Sequence, residues 1–292
     1  MTIVPRSLGS REAFLKALFH DLKLTEGAVP RVYTDHKGIP TVGIGYALLV
    51  VSGGRYRIRP DLEADLTRAG IDLNGAEGTA LRDILARVRE LLNAGKVAEA
   101  QQRIPPFVGG EDSRAKNPTG LPFFSDDQIR VLLETVIVKY ENLLRGKLQA
   151  ETLYESLAHS WEKIALVSLT YNSPSLIGPG LRGALQAGDR AEAWFQIRHF
   201  SNGKKNRGLA KRRYLEASRF GLYNDPARIT LDEARAVMAM YARRKGRIDP
   251  YEAALGEMIA LANRDYGLTG DEAVGTLAES LAPARQVIAE QG

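Results

Sequence analysis

A mostly helical α+β fold is predicted by two patterns in the chain. Apolar residues recur at helical spacing through most of its length, whereas β-branched and aromatic residues concentrate in one short N-terminal stretch. Composition agrees with this class. An apolar share of 44% and a charged share of 26% over 292 residues are those of an ordinary globular chain, long enough for one large or two modest cores.

Taken in order, residues 1 to 9 read as an irregular lead-in. The first helix is expected to start with Ser10 as its N-cap and Glu12 in its first turn. Phe14, Leu15, Leu18, Phe19 and Leu22 give it one apolar face, and Gly27 ends it, so Glu26 is expected at its C-terminal edge. Val29 to Thr34 and Ile39 to Tyr46 then read as two strands joined by Asp35-His36-Lys37-Gly38, a turn set by Asp35 and Gly38. The next stretch, about 52–122, contains a helix over Ala80 to Asn93 and a second over Val97 to Ile104. The loop chemistry of Pro105 to Gly110 and Asn117 to Gly120 follows, together suggesting a flap. Ser125 and Gln128 form a capping box ahead of Val131, Leu132, Val136 and Leu143. From Glu151 a helix carrying Leu153, Leu157, Trp161, Ile164 and Leu169 is expected to end at Tyr171-Asn172-Ser173-Pro174. Beyond Asn224-Asp225-Pro226, Thr230 and Glu233 read as another capping box, with short helices expected over Pro250 to Asn263 and Thr269 to Ala289.

The chemistry concentrates near the hairpin. Glu26 at a helix end, Asp35 nine residues on and Thr41 six further put two carboxyls and a hydroxyl where they could face one site and divide acid and base work. These residues stand in Glu-Gly-x5-Tyr-x-Asp-x2-Gly-x2-Thr-x-Gly-Ile-Gly, which resembles the catalytic signature of the phage-type lysozymes of the T-even phage family. Further on, Arg182 to Phe195 and Gly208-Leu-Ala-Lys-Arg-Arg213-Tyr-Leu-Glu216 resemble the closing segments of the same family. The resemblance covers roughly residues 10 to 50 and 123 to 223. One departure is Tyr46, where the T-even enzyme has a histidine, so an ion pair is absent at that point.

The resemblance implies a lysozyme-like fold, with a small N-terminal β lobe and a larger helical lobe around a cleft. It also implies muramidase activity on the β-1,4 bond between N-acetylmuramic acid and N-acetylglucosamine. Glu26 is then the general acid, while Asp35 and Thr41 position the water of an inverting hydrolysis, which needs carboxyls about 6.5–9.5 Å apart. An apolar wall around Glu26 is expected, since burial favours the protonated acid. Tyr171, Asn172 and Gln196 match sugar-contacting positions of the family. The implied catalytic domain is 1–223 with an insertion at about 52–122, and 224–292 is a C-terminal helical extension whose removal should spare the site. A chitinase- or chitosanase-like glycosidase and an idle wall-binding module of the same fold are the competing readings.

Charge and composition narrow the partners. The net charge of +5 and a pI near 9.3 suit a polyanion, either nucleic acid or an acidic cell wall. No helix-turn-helix, zinc-finger or RNA-binding signature accompanies Lys204 to Arg213 or Arg243-Arg244-Lys245, so both clusters read as solvated helix faces and no nucleic acid partner is expected. His20, His36, His159 and His199 lack paired ligand spacing, so neither a metal nor another cofactor is expected. The absence of cysteine excludes a papain-like peptidase and frees the fold from redox conditions. Without a signal-peptide layout or a run of roughly eighteen apolar residues, stable membrane insertion is not expected. The expected setting is synthesis in the cytoplasm and action on peptidoglycan in the periplasm. That serves either phage lysis or an antibacterial effector delivered by a secretion apparatus and met by an immunity protein.

Overall fold

The computed structural model describes residues 2–107 and 119–292 and is mostly helical with small antiparallel sheets. The chain divides into two compact units, one built from Phe19–Lys139 and the other from Met1–Leu18 with Tyr140–Gly292. Helix α1 (Arg11–Glu26) contributes residues to both. It begins as expected, with the Ala13 N–H donating to the Ser10 hydroxyl at 3.1 Å, and ends at Gly27, whose φ of 77° suits a residue without a side chain.

In the Phe19–Lys139 unit, β1 (Val29–Thr34), β2 (Pro40–Gly43) and β3 (Tyr46–Ala47) form an antiparallel sheet in that order. The expected single returning strand is thus two, because Gly43 and Gly45 take positive φ and turn the chain at Ile44. Pairing sets Tyr33 opposite Thr41 and Thr34 opposite Pro40. A second hairpin, β4 (Leu49–Ser52) and β5 (Arg55–Ile58), turns at Gly53-Gly54 and is followed by α2 (Leu62–Arg68). The Tyr46 hydroxyl donates to Asp65 Oδ2 at 2.7 Å beneath the Arg59 guanidinium, so a hydrogen bond from an uncharged phenol stands at this position.

The stretch expected to be a flap is largely packed structure. Helix α3 (Ala76–Asn93) buries Leu81, Leu85, Val88, Leu91 and Leu92, and α4 (Val97–Arg103) follows it. Both lie against the Asp35 turn, where a Cβ on Gly38 would stand 3.0 Å from Leu92 and 3.2 Å from Val97. Of the loop readings, residues 108–118 lie outside the described residues.

Helix α5 (Asp126–Leu148) opens with the expected box: the Ser125 N–H donates to Gln128 Oε1 at 2.9 Å and the Gln128 N–H to Ser125 Oγ at 3.3 Å. Ile129 packs on β2 so closely that a Cβ on Gly43 would lie 2.4 Å from its Cγ2. With φ at +62° as well, Gly43→Ala should cost about 2–3 kcal/mol from left-handed strain and overpacking together. A urea unfolding midpoint unchanged from wild type would remove Gly43 from the packing.

In the other unit the expected helix from Glu151 is two, α6 (Glu151–Ser156) and α7 (Trp161–Asn172). They are separated by His159 at φ 54°, and Ser160 caps the second by accepting from the Lys163 N–H at 3.1 Å. Helices α8 (Pro179–Gln186) and α9 (Arg190–Phe195) follow, and α9 continues as a π-helical turn, Gln196–Phe200. Helix α10 (Arg207–Phe220) packs on α7 and ends at Gly221. The lead-in is pinned rather than loose, since Glu162 accepts from the Arg6 backbone at 2.9 Å and from Arg190 Nη2 at 3.0 Å.

Helix α11 (Leu231–Leu255) runs through Pro250, where a new helix was expected. A proline costs a helix one N–H donor and crowds the carbonyl four residues earlier, and here that residue is Gly246, with no side chain to add to the crowding. Thr230 caps α11 by accepting from the Glu233 N–H at 3.2 Å. The Glu233 carboxylate turns to the Asn224 N–H at 2.6 Å, so only half of the expected box forms. After α12 (Glu257–Tyr266), a complete box of Thr276 and Glu279 opens α13 (Leu277–Gln291). Residues 224–292 belong to the same compact unit as 140–223, joined by Glu252 to Arg198 and by Arg243 and Arg244 to Glu192. A boundary near 223 therefore does not coincide with the observed division.

Candidate active site

Glu26, Asp35 and Thr41 all belong to the Phe19–Lys139 unit. Glu26 is the last residue of α1 and is exposed, without the apolar wall expected for it. Asp35 is half-buried, and its carboxylate closes its own turn: Oδ1 accepts from the Lys37 N–H at 2.8 Å and the Ile39 N–H at 2.9 Å. Both bonds fall on one oxygen, and among the described residues Oδ2 has no hydrogen-bond partner. Thr41 is buried and donates its hydroxyl proton to the Ile39 carbonyl at 3.0 Å, so its lone pairs are what it can offer a water.

Tyr33 links these groups. It pairs across the hairpin with Thr41, and strand alternation places Asp35, two residues on, toward the same side. Burial pushes the Tyr33 phenol above its ordinary value, and the negative charges of Asp35 and Glu26 push it further. Tyr33 stands inside the motif, and its period-two spacing from Asp35 is the signal for it in the sequence.

The hairpin is braced from α4 and the stretch after it. Gln101 Nε2 donates to the Asp35 carbonyl at 3.2 Å, and the Thr34 hydroxyl donates to the Ile104 carbonyl at 2.8 Å. The Thr34 N–H donates to the Pro105 carbonyl at 3.3 Å, and Phe107 meets the Tyr33 ring edge-on at 6.2 Å. These bonds set where the Asp35 turn stands.

Tyr171, Asn172 and Gln196 belong to the other unit, where structural partners engage them. Tyr171 packs on Tyr140 with ring centroids 4.5 Å apart, and Asn172 Oδ1 accepts from Arg213 Nη2 at 2.7 Å. Gln196 Nε2 donates to Glu192 at 2.8 Å, and the side chain faces a cavity of about 170 Å³ beside the Ser175 to Leu181 loop. A Cβ on Gly180 would come within 2.8 Å of Gln196 Oε1. In the first basic cluster Lys204, Lys205 and Arg207 are exposed as expected, whereas Arg212 and Arg213 are buried on Glu216, Ser168 and Asn172. Arg243 and Arg244 of the second reach Glu192.

Among the described residues, no group of three or more His, Asp or Glu side chains could hold a metal ion, and no helix is long and apolar enough to cross a membrane. The elements define a class, a mostly helical α+β protein with a small antiparallel sheet. Comparison with protein-family models, curated proteins and solved structures returned no match.

Proposed function

We propose that this chain is a peptidoglycan hydrolase of lysozyme-like fold, a muramidase working by acid and base catalysis without a cofactor. The observation that carries the reading is the Asp35 turn, whose carboxylate is held through Oδ1 by two backbone N–H groups, with Thr41 opposite Tyr33 on the returning strand and Glu26 at the end of α1 in the same unit. Two carboxyls of unlike exposure are what glycoside hydrolysis needs in order to divide its roles.

Glu26, exposed at the helix end, donates the proton to the glycosidic oxygen as the bond to the leaving sugar breaks. Asp35 cannot swing freely, because two backbone N–H groups hold Oδ1, and its Oδ2 accepts one proton of a water. Thr41, its own proton committed to Ile39, accepts the second hydrogen of that water as a hydrogen bond. Both hydrogens so held, the water's lone pair faces the anomeric carbon. Within this reading Tyr171, Asn172 and Gln196 are the sugar-contacting positions that the resemblance implies, and peptidoglycan is the partner that a basic chain meets.

Digestion of purified peptidoglycan tests the proposal. Mass spectra of the soluble fragments should show reducing muramic acid ends, and proton NMR of fresh product should show the α anomer. Reducing N-acetylglucosamine ends or release of peptides alone would refute muramidase activity, and a β anomer would make Asp35 a nucleophile instead of a base.

A further inference from the structure

An exposed apolar side chain is ordinary when it stands alone on a surface. Phe107 does not stand alone. It is 43% exposed, yet its ring meets Tyr33 edge-on at 6.2 Å, and Tyr33 pairs with Thr41 across the hairpin two residues before Asp35. The segment that presents it is anchored to the end of β1 by the two Thr34 bonds to Ile104 and Pro105 and by a parallel bridge between Thr34 and Pro106. Pro105 and Pro106 restrict their own φ, so little freedom remains just before the ring.

We propose that Phe107 is a substrate-positioning residue, an aromatic platform on which a hexopyranose ring of the glycan stacks beside Glu26 and Asp35. The physical fit is specific. A pyranose presents axial C–H groups on one face, and these carry partial positive charge toward the negative face of a phenyl ring while apolar area leaves water. Phe107 comes from the stretch after α4, outside the part of the chain that resembles the lysozyme signature, so this contact is this chain's own addition to the site. It rests on the glycosidase reading.

The test uses the full chain and two readouts. On soluble peptidoglycan fragments, Phe107→Ala should raise KM about tenfold and leave kcat within about twofold, because stacking that is equal in ground and transition states is uniform binding. Phe107→Tyr should restore the wild-type KM. Separately, Phe107→Trp, titrated with an N-acetylglucosamine hexamer, should give a saturable fluorescence change that wild type lacks and that persists when Glu26→Gln is added. The melting temperature of each variant controls for folding, which an exposed ring should not govern. If Phe107→Ala leaves KM unchanged, or the hexamer leaves the fluorescence of Phe107→Trp unmoved, the platform is refuted. If the protein releases no sugar from peptidoglycan, the hydrolase reading fails, and the titration alone then decides whether Phe107 meets a saccharide.

Discussion

Glu26→Gln is expected to lower turnover of peptidoglycan by about 10²–10⁴-fold, the contribution of a single general acid. The amide keeps the shape of the side chain and has no proton to give. Stability should hardly change, since Glu26 is exposed at the end of α1 and surface substitutions of this kind stay within about 0.5 kcal/mol. Asp35→Asn makes a stringent partner experiment. Its Oδ1 can still accept from Lys37 and Ile39, so the turn should survive, whereas an amide nitrogen in place of Oδ2 would remove the base. Initial rates on purified wall, measured beside circular dichroism melts, decide the matter. If both variants fold and hydrolyse at the wild-type rate, neither residue is part of the chemistry.

Glu252→Ala should cost about 3–5 kcal/mol of stability, the usual consequence of leaving one member of a buried ion pair behind. Glu252 Oε1 accepts from Arg198 Nε at 3.0 Å and from His199 Nε2 at 2.8 Å, and Oε2 accepts from the Tyr214 hydroxyl at 3.3 Å. The Arg198 side chain is only 2% exposed and lies over Trp194 and Tyr214, so water cannot replace the lost carboxylate. Replacing both partners, Arg198→Met with Glu252→Leu, should recover most of the loss because no charge is then stranded. Urea unfolding measures each, and a single mutant within about 1 kcal/mol of wild type would show that the network is not structural.

The pH dependence follows with the same sign from both groups. Burial pushes the Glu252 carboxyl up, but the His199 hydrogen bond and the Arg198 charge outweigh it and hold it below the ordinary value. Burial holds His199 below its ordinary value despite its bond to Glu252. A lowered folded-state pKa stabilises above the unfolded value and is lost as pH falls. Stability should therefore decline first as pH drops through the histidine range and again through the carboxylate range. The same contacts predict that a chain ended near Tyr223 will not fold as wild type does, for it would strip Glu252 from Arg198, Arg243 and Arg244 from Glu192, and Ser280 from Tyr223.

What the chain's own order of residues determined is local. Ser10 and Gly27 bound α1 and so put Glu26 at its edge, and Asp35 with Gly38 makes the turn that carries the second carboxyl. The Ser125 and Gln128 box follows the same logic, because a cap or a turn is closed by atoms within about four residues and their identities can be read in sequence. Tertiary structure decided whatever depends on a neighbour far along the chain. Arg212 and Arg213 look like surface cations until Glu216, Ser168 and Asn172 are seen around them, and Glu233 looks like half of a cap until the Asn224 N–H competes for it. Pro250 reads as a break, yet α11 continues through it. Tyr33 and Phe107 lie 74 residues apart and meet only because Thr34 holds Ile104 and Pro105 against the strand end, a contact between distant segments that no spacing rule could announce.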